Sequence, residues 1–398
     1  FSLSHLKPTT HIAMLNTALK DLKVIDFTQV VAGPTCTMAL ADMGADVIKI
    51  EAPSGDLCRD LPPYVGHESV PFMALNRDKR SIVLDLKKPE ARAHAIELIR
   101  NADVLAESFR PGVMARLGLG YDAMQAINPG LIYCSVSAYG QNSPDKDLPG
   151  VDGVVQAVSG LMSVTGMPDS PPCKVQVPVV DVITGYLATI SVLGALAQRQ
   201  QDGLGQWLDI SMFSSAVAMQ HLSFATYFHD KTPPTPQGSA APYSTPNEAL
   251  RCADGWIMVA AYHPARWKAF CEVLGISELA SDPRFADADE RLKRRAEVLP
   301  LLEEQLVKRS KYEWLRLLQQ ADIICGPINN YREVVESSAF RSAELAECLV
   351  HPSAGPTTLT RSPFLAPGQE RRPAPRLGQH TEAVLSELAA ADPQRAMV

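Results

Sequence analysis

The feature that most constrains this chain is a regular alternation of short apolar strands and longer helices over its first half. Strand patterns recur at residues 24–27, 47–50, 81–84, 103–106 and 131–136. Helical patterns separate them, as at 89–101, which has a proline in its first turn. Strands spaced in this way form βαβ units, whose strands are parallel and whose sheet is covered on both faces. The alternation therefore predicts an α/β protein with a Rossmann-like core.

The second half of the chain has a different texture. A long helical pattern at 181–201 leads to a strand pattern at 207–211, and a proline-rich stretch at 232–246 then excludes regular structure. Beyond it we predict one strand, at 256–260, followed mainly by helices and loops.

These patterns divide the chain into two domains. We predict a large Rossmann-like domain built from residues 14–215 and 326–398, and a smaller α+β domain at about 235–320. Linkers at about 216–234 and 321–325 would join the two.

Composition excludes several classes of protein. The chain has 398 residues, and its 37 basic and 44 acidic side chains give a net charge of −7, without the basic stripe of a nucleic-acid binder. We find no apolar run near the ~18–20 residues that cross a bilayer, so no membrane span is expected. None of the eight cysteines has zinc-ligand spacing, so no metal site is predicted. The cysteines are scattered along a long chain, which predicts buried free thiols and a reducing, cytoplasmic location.

The turn after the first strand, residues 29–34, is the natural ligand position, because helix N-termini lie at the carboxyl edge of a parallel sheet. This turn lacks the GxGxxG pattern of a dinucleotide site, and no phosphate-binding GxxxxGK[ST] loop occurs elsewhere. The residues therefore give no support for a simple NAD or ATP site.

Asp181 is the most informative single residue. It follows the apolar run 177–180 and enters the long helical pattern. One interpretation is an N-cap aspartate, which binds the first free amides of the helix. The other is a nucleophilic carboxylate at a helix N-terminus, where negative charge is stabilised. The local sequence is consistent with both.

Several short motifs occur in an order typical of one enzyme family. They are 22–27 (LKVIDF), 32–34 (AGP), 44–51 (GADVIKIE), 76–82 (NRDKRSI), 84–87 (LDLK), 102–112 (ADVLAESFRPG), the spaced residues Asp152, Gln156, Ser159, Gly160, Thr165 and Gly166, then Asp181 and 377–381 (LGQHT). Together they resemble the class III coenzyme A transferases, the formyl-CoA transferase or CaiB/BaiF family. The resemblance begins near residue 19 and covers nearly all of the chain.

The resemblance implies a CoA transferase with Asp181 as the nucleophile. CoA would be a substrate that moves between an acyl-CoA donor and a carboxylic acid acceptor, through an aspartyl anhydride and an aspartyl-CoA thioester. No permanently bound cofactor or metal is implied. The family also implies an intertwined homodimer, with no nucleic acid or membrane partner.

The family's CoA-binding positions correspond to six residues of this chain. The resemblance assigns CoA contact to the turn residues Val30 and Ala32, to Leu84 and Lys87, to Phe109 at a strand end, and to the phosphate-binding Arg116. An arginine suits phosphate because its planar guanidinium can donate two parallel hydrogen bonds.

The chain also departs from formyl-CoA transferase. Val31, Ala52 and Ser108 stand where that enzyme has glutamine, arginine and asparagine, and its glycine-rich loop has no counterpart between Phe228 and Gly255. These differences favour a small dicarboxylate pair, such as succinyl-CoA with a C4–C6 diacid, over formate and oxalate.

Two alternatives stay open. One is an α-methylacyl-CoA racemase of the same family, although such enzymes use a histidine where this chain has Val151, and valine cannot exchange a proton. The other is a non-catalytic acyl-CoA binder, which would have no need of the Asp181 carboxylate.

Overall fold

A computed structural model of the chain describes residue 15, residues 17–365 and residues 371–391. They group into two compact units. The first unit comprises the described residues up to Leu161, Val175–Lys231 and those from Ala343 onward, and the second comprises Met162–Lys174 and Thr232–Ser342. The sequence-based boundaries placed Met162–Lys174 and residues 326–342 in the large domain, whereas this division groups both with the second unit.

The strands of the described residues are, in chain order, β1 (Lys23–Phe27), β2 (Asp46–Glu51), β3 (Tyr64–Val65), β4 (Glu68–Ser69), β5 (Arg80–Val83), β6 (Val104–Glu107), β7 (Ile132–Ser137), β8 (Trp207–Ser211), β9 (Asn247–Cys252), β10 (Gly255–Ala260), β11 (Ile324–Pro327), β12 (Ala346–His351) and β13 (Gly355–Thr360).

The helices are α1 (Ala32–Asp42), α2 (Val70–Leu75), α3 (Pro89–Arg100), α4 (Val113–Arg116), α5 (Tyr121–Ile127), α6 (Asp152–Val158), α7 (Leu161–Val164), α8 (Val179–Asp202), α9 (Met212–Met219), α10 (His221–Asp230), α11 (Pro264–Leu274), α12 (Ala288–Lys293), α13 (Arg295–Leu306), α14 (Lys311–Gln320), α15 (Tyr331–Glu336), α16 (Ser338–Ser342) and α17 (Thr381–Ala391). Short 3₁₀ helices occupy Leu57–Asp60 and Ser277–Ala280.

The first unit is built on a six-stranded sheet in the order β5-β2-β1-β6-β7-β8. Every neighbouring pair in it is parallel, and Ile25 at its centre aligns with Ile48 on one side and Leu105 on the other. The predicted parallel sheet is confirmed, because the five strands predicted in the first half of the chain and the strand predicted at 207–211 are its six members.

Two hydrophobic clusters cover the two faces of this sheet. On one face, Cys36 of α1 and Val192 of α8 pack against strand residues such as Val104. On the other, Leu98 of α3 and Met124 of α5 pack against the opposite side chains of the same strands. Side chains alternate along a strand, so strands buried on both faces are continuously apolar, as the sequence patterns require.

The C-terminal segment covers the free edge of β5. The His380 N–H donates to the Ser81 carbonyl at 2.9 Å, and the Ser81 N–H donates to His380 Nδ1 at 3.2 Å. The Val83 N–H donates to the Thr381 hydroxyl at 3.0 Å, and Arg80 forms an ion pair with Glu387. The unpaired edge of a sheet is thus satisfied by residues almost 300 positions further along the chain.

The second unit contains an antiparallel sheet in the order β11-β10-β9, with helices packed around Trp267 and Phe270. The sequence predicted only β10 of this sheet. Helix α14 begins with a capping box, since Ser310 and Glu313 each bind the other's backbone N–H. The hairpin of β12 and β13 belongs to the first unit and was not predicted.

The expectation that no segment could span a membrane needs correction. Helix α8 has 24 residues and is apolar enough, by length and composition, to cross a bilayer. This is weak evidence, because a core helix passes the same test, and α8 packs against α1, α9, β7 and β8.

All eight cysteines are free thiols, but they are not all buried as predicted. Cys173 and Cys348 are exposed, and Cys325 is half-buried. Burial raises the pKa of the Cys36 thiol to about 12, so that it behaves as an apolar side chain.

Candidate active site

The helix that carries Asp181 begins at the carboxyl edge of the parallel sheet. Helix α1 follows β1 and therefore starts at that edge. Gly185 of α8 lies against the Ala32 carbonyl of α1. Four residues further along each helix, Thr189 lies beside Cys36. The two helices thus run parallel, so Asp181, one turn before Gly185, lies near the turn that precedes α1.

Glycine is required where these helices meet. A Cβ on Gly185 would lie 2.5 Å from the Thr35 Cβ and 2.6 Å from the Ala32 oxygen. A Cβ on Gly33 would lie 2.4 Å from the Thr28 Cβ. All three distances are shorter than real Cβ contacts, so the two glycines allow the turn, α1 and α8 to pack closely.

Asp181 is the third residue of α8, so the N-cap interpretation is wrong. The residue at the cap position is Pro178, which provides no side-chain hydrogen bond. Instead the carboxylate of Asp152, at the start of α6, accepts the Val180 N–H at 2.8 Å and the Asp181 N–H at 3.2 Å. The Asp181 side chain is therefore not needed as a cap and is available for chemistry.

Gln156 completes the support of this helix terminus. Its Nε2 donates to the second Asp152 oxygen at 2.5 Å and to the Val175 carbonyl at 3.1 Å, and its Oε1 accepts the Val175 N–H at 2.9 Å. Asp152 and Gln156 are both buried. The segment that leads into α8 is thus held at both ends by side chains of α6.

The environment of Asp181 raises the pKa of its carboxyl group to about 7. Burial is the main cause, because it penalises the charged form, and the negative charge of Asp152 adds to it. Among the residues that the structure describes, no cation contributes to this shift. A carboxylate with no counter-ion among those residues, at a helix terminus on the sheet's carboxyl edge, has the properties of a nucleophile more than those of a structural ion pair.

The predicted CoA-contact residues Val30 and Ala32 flank the end of the turn after β1. Val30 has a positive φ of 66°, which is unusual for a β-branched residue, and its N–H donates to Asp56 at 3.0 Å. The N–H of Gln29 donates to the Ser108 hydroxyl at 2.9 Å. This hydrogen bond brings the turns after β1 and β6 together.

Leu84 and Lys87 follow β5, two strands away from β1 in the same sheet. Leu84 is buried, and its N–H donates to the Glu51 carbonyl at 2.9 Å, whereas Lys87 is exposed. The structure thus places Val30, Ala32, Leu84 and Lys87 beyond the carboxyl ends of strands of one sheet, and their contact with CoA stays a prediction.

Phe109 and Arg116 follow β6, and each lines a different cavity. The two cavities share the lining residues Arg110, Pro111 and Lys146. Phe109 lines a cavity of about 340 Å³, together with Val151. The exposed Arg116 lines the other, of about 580 Å³, whose walls include the stacked rings of Tyr121 and Trp207. Asp181 does not line either cavity.

Sequence reasoning missed Glu107, the last residue of β6, which also lines the larger cavity. Burial raises the pKa of its carboxyl group to about 7, although it accepts hydrogen bonds from Ser135 and from the Phe109 N–H. A glutamate that ends an otherwise apolar strand is the signal that could have identified it. Its contact with the Phe109 amide orients the turn that bears a predicted CoA contact.

Within residues 17–365 and 371–391, no group of three or more His, Cys, Asp or Glu side chains is arranged to hold a metal ion.

Comparison with known proteins identifies the family. The sequence model of CoA-transferase family III matches residues 19–381. The chain is 35% identical to succinate–glutarate CoA-transferase of Agrobacterium fabrum, over 93% of this chain and 95% of that protein. It is 36% identical to acetyl-CoA:oxalate CoA-transferase of Acetobacter aceti, with the same two coverages.

Solved structures agree with this assignment. The crystal structure of a CaiB/BaiF family protein from Brucella suis superimposes with a TM-score of 0.83 at 32% identity, covering 94% of this chain and all of that one. A match of this length in both sequence and fold leaves one conclusion: the chain belongs to CoA-transferase family III and is a CoA-transferase.

Proposed function

We propose that this enzyme transfers CoA from a donor such as succinyl-CoA to a small dicarboxylate, with Asp181 as the covalent nucleophile. The observation that carries the proposal is the state of Asp181. Its carboxylate lies in the first turn of α8, has a pKa of about 7 and has no cation among the causes of that shift. The cap that such a helix needs comes from Asp152, so Asp181 has no structural task at this terminus.

The reaction can proceed in four balanced steps. The Asp181 carboxylate attacks the donor thioester carbonyl, which forms a mixed anhydride and releases the CoA thiolate. The thiolate attacks the aspartyl carbonyl, which forms an aspartyl-CoA thioester and releases the donor acid as its carboxylate. The acceptor carboxylate then attacks this thioester, and the thiolate released attacks the acceptor's carbonyl in the new anhydride. The products are the new acyl-CoA and free Asp181.

This sequence suits a partly buried carboxylate. No proton is gained or lost overall, because a carboxylate enters and a carboxylate leaves. A pKa near 7 makes Asp181 a more basic nucleophile than an ordinary aspartate while a substantial fraction stays ionised at neutral pH. Burial also limits access of water, which would hydrolyse the anhydride and the thioester.

CoA itself would lie along the carboxyl edge of the sheet. We assign backbone contacts to Val30 and Ala32, nucleotide contacts to Leu84 and Lys87, a contact at the end of β6 to Phe109, and a phosphate contact to Arg116. In support, the turns after β1 and β6 are joined by a hydrogen bond, and Arg116 is an exposed arginine at the rim of a cavity.

The acceptor is proposed as a dicarboxylate because two relatives of nearly equal identity are named for diacids, one for succinate and glutarate and one for oxalate. A racemase has less support. It would need a proton-exchanging side chain at the position before Asp152, and this chain has there Val151, a valine that is 67% exposed.

We also propose a homodimer. Helix α10 has no buried residues, and Leu222 and Phe228 on it are 69% and 63% exposed. Only 39% of the most apolar window of α8 is buried. A second copy of the chain that covers these faces accounts for the exposed apolar side chains.

The five buried free thiols are consistent with a reducing, cytoplasmic location.

Intact-protein mass spectrometry tests the proposed nucleophile. The wild-type enzyme incubated with succinyl-CoA alone should gain the mass of CoA less one water, as expected for a thioester. Peptide mapping should place the adduct at Asp181. Asp181→Asn should form no adduct, because an amide does not give the anhydride, while free CoA should still bind.

Asp152→Asn is the matched control, since it changes a neighbouring carboxylate and leaves the proposed nucleophile in place. It should still form the adduct. An adduct in Asp181→Asn equal to that of the wild type would refute the mechanism. A screen of succinyl-, acetyl- and formyl-CoA against the dicarboxylates succinate, glutarate and oxalate and the monocarboxylates acetate and formate then identifies the substrates. Preference for a monocarboxylate acceptor would refute the proposed acceptor class.

A further inference from the structure

The turn between β1 and α1 is held in a conformation that its own sequence disfavours. Val30 has a φ of 66°, in the left-handed region where a β-branched side chain is crowded by its own backbone. Such a residue persists only where its surroundings determine its conformation. Groups outside the turn must therefore hold residues 28–30 in place.

Three side chains from outside the turn bind its backbone, one to each residue. Lys49 Nζ on β2 donates to the Thr28 carbonyl at 2.7 Å. The Ser108 hydroxyl accepts the Gln29 N–H at 2.9 Å, and Asp56 Oδ1 accepts the Val30 N–H at 3.0 Å.

Two of these side chains form a buried ion pair. Lys49 Nζ lies 2.8 Å from Asp56 Oδ2, and neither side chain is exposed to solvent. Burial alone would lower the pKa of Lys49, but the carboxylates of Asp26 and Asp56 raise it, so the ammonium group is retained. Burying two charges is costly, and a pair of this kind is weak evidence for stability. Both charges of this pair are directed at the backbone of the same turn.

We propose that Lys49, Asp56 and Ser108 are positioning residues that hold Val30 in the left-handed conformation and so present the turn to CoA and to Asp181. The assignment of CoA to this turn rests on the proposed function. The conformational part rests only on the hydrogen bonds above.

The packing shows how the turn affects the nucleophile. Thr28 lies against Gly33 of α1, and the Ala32 carbonyl lies against Gly185 of α8, one helical turn from Asp181. If Val30 relaxes to a negative φ, the direction of the chain entering α1 changes, and these close contacts transmit the change to α8. Substrate binding and nucleophile placement should therefore fail together.

Lys49, Asp56 and Ser108 together are called the clamp. Combining substitutions in the clamp with Val30→Gly tests the proposal, because glycine adopts positive φ without strain. Asp56→Asn keeps the side-chain shape but removes the charge that faces Lys49. Ser108→Ala removes only the acceptor for Gln29 and is the milder variant if Asp56→Asn folds poorly. Each single variant should weaken CoA binding, measured by calorimetry, by roughly 5- to 100-fold. Adding Val30→Gly should restore the affinity to within about threefold of the wild type, since the turn no longer needs the clamp.

Asp42→Asn is the matched control. Asp42 forms an equally buried ion pair with Arg77 at 2.8 Å, and its side-chain contacts are with Arg77 and Arg371, not with residues 28–30. It should lower the melting temperature and leave CoA affinity within about threefold of the wild type. If Val30→Gly fails to rescue Asp56→Asn and Ser108→Ala, the positioning role is wrong.

Hydrogen exchange separates this proposal from the proposed function. The Gln29 and Val30 amides should exchange faster in Ser108→Ala and Asp56→Asn than in the wild type, whether or not CoA binds. If the wild type itself binds no CoA and the variants still show faster exchange, the CoA assignment is overturned and the holding role of these side chains is supported. Unchanged exchange in both variants would overturn the clamp itself.

Discussion

Replacing Gly185 by alanine should displace the nucleophile without touching it. The new Cβ would lie 2.6 Å from the Ala32 oxygen, and ordinary contact begins near 3.4 Å. The atom in the way is a backbone carbonyl at the start of α1, which cannot rotate aside. Helix α8 must therefore move away from α1 by about 0.8 Å at this point. Asp181 lies one turn away and should move with it.

The magnitude follows from two opposing effects. Alanine in a helix interior gains about 1 kcal/mol over glycine. Overpacking of this kind costs about 1–3 kcal/mol. The free energy of unfolding should therefore fall by up to about 2 kcal/mol. Activity is more sensitive, because misplacement of a reacting group by about 1 Å can cost on the order of 100-fold in rate.

Gly194→Ala in the same helix is the control. No atom of the described part of the chain lies within 4 Å of a Cβ at this position. Only the gain in helix propensity therefore applies, and the protein should become about 1 kcal/mol more stable. Steady-state CoA exchange should show an unchanged kcat for Gly194→Ala and a loss of about 10- to 100-fold for Gly185→Ala. If Gly185→Ala keeps the wild-type kcat and gains the stability of the control, then the contact between α1 and α8 does not position Asp181.

Three further outcomes are expected. Asp152→Asn should lower the pKa of Asp181, because it removes a like charge, and should therefore move the acid limb of the kcat–pH profile from near pH 7 to lower pH. A profile that stays in place contradicts this coupling. Asp181→Asn should be more stable than the wild type above pH 7, by about 2 kcal/mol at this half-buried site. The reason is that the raised pKa of Asp181 in the folded state makes the wild-type free energy of unfolding fall as pH rises from about 4 to 7. Denaturant titrations in which the difference in free energy of unfolding does not grow over that pH range refute this. Arg116→Ala should weaken CoA binding about 10- to 100-fold and reduce its salt dependence, and equal affinity in calorimetry at two ionic strengths removes Arg116 from the site.

The sheet could be predicted because its strands are buried on both faces. Strands such as 47–50 and 131–136 are nearly continuous apolar runs, and helices of regular length separate them. The strand β9 (NEALRC) was missed because half of its residues are polar, and its register is set by pairing with β10.

The site could be predicted only in part. Asp181 was identified through its place before a helix and through the family resemblance, and the structure puts it at the sheet edge where that chemistry is expected. The cap supplied by Asp152 lies 29 residues away, and no local pattern reveals a contact at that distance. Lys49 appears in the sequence as one polar residue within a strand, and only the fold shows that its ammonium group is fully buried against Asp56.

The edge of β5 has a consequence for how the chain is made. Ser81 leaves the ribosome long before its partner His380, which is 299 residues further on. At about 5–20 residues per second, this delay is roughly 15–60 s. For that time the nascent sheet has no cover on this side and can pair with another chain. The segment at α17 is therefore synthesised late and covers the edge of β5 only then. Its synthesis ends the interval in which the newly made enzyme is most exposed to aggregation.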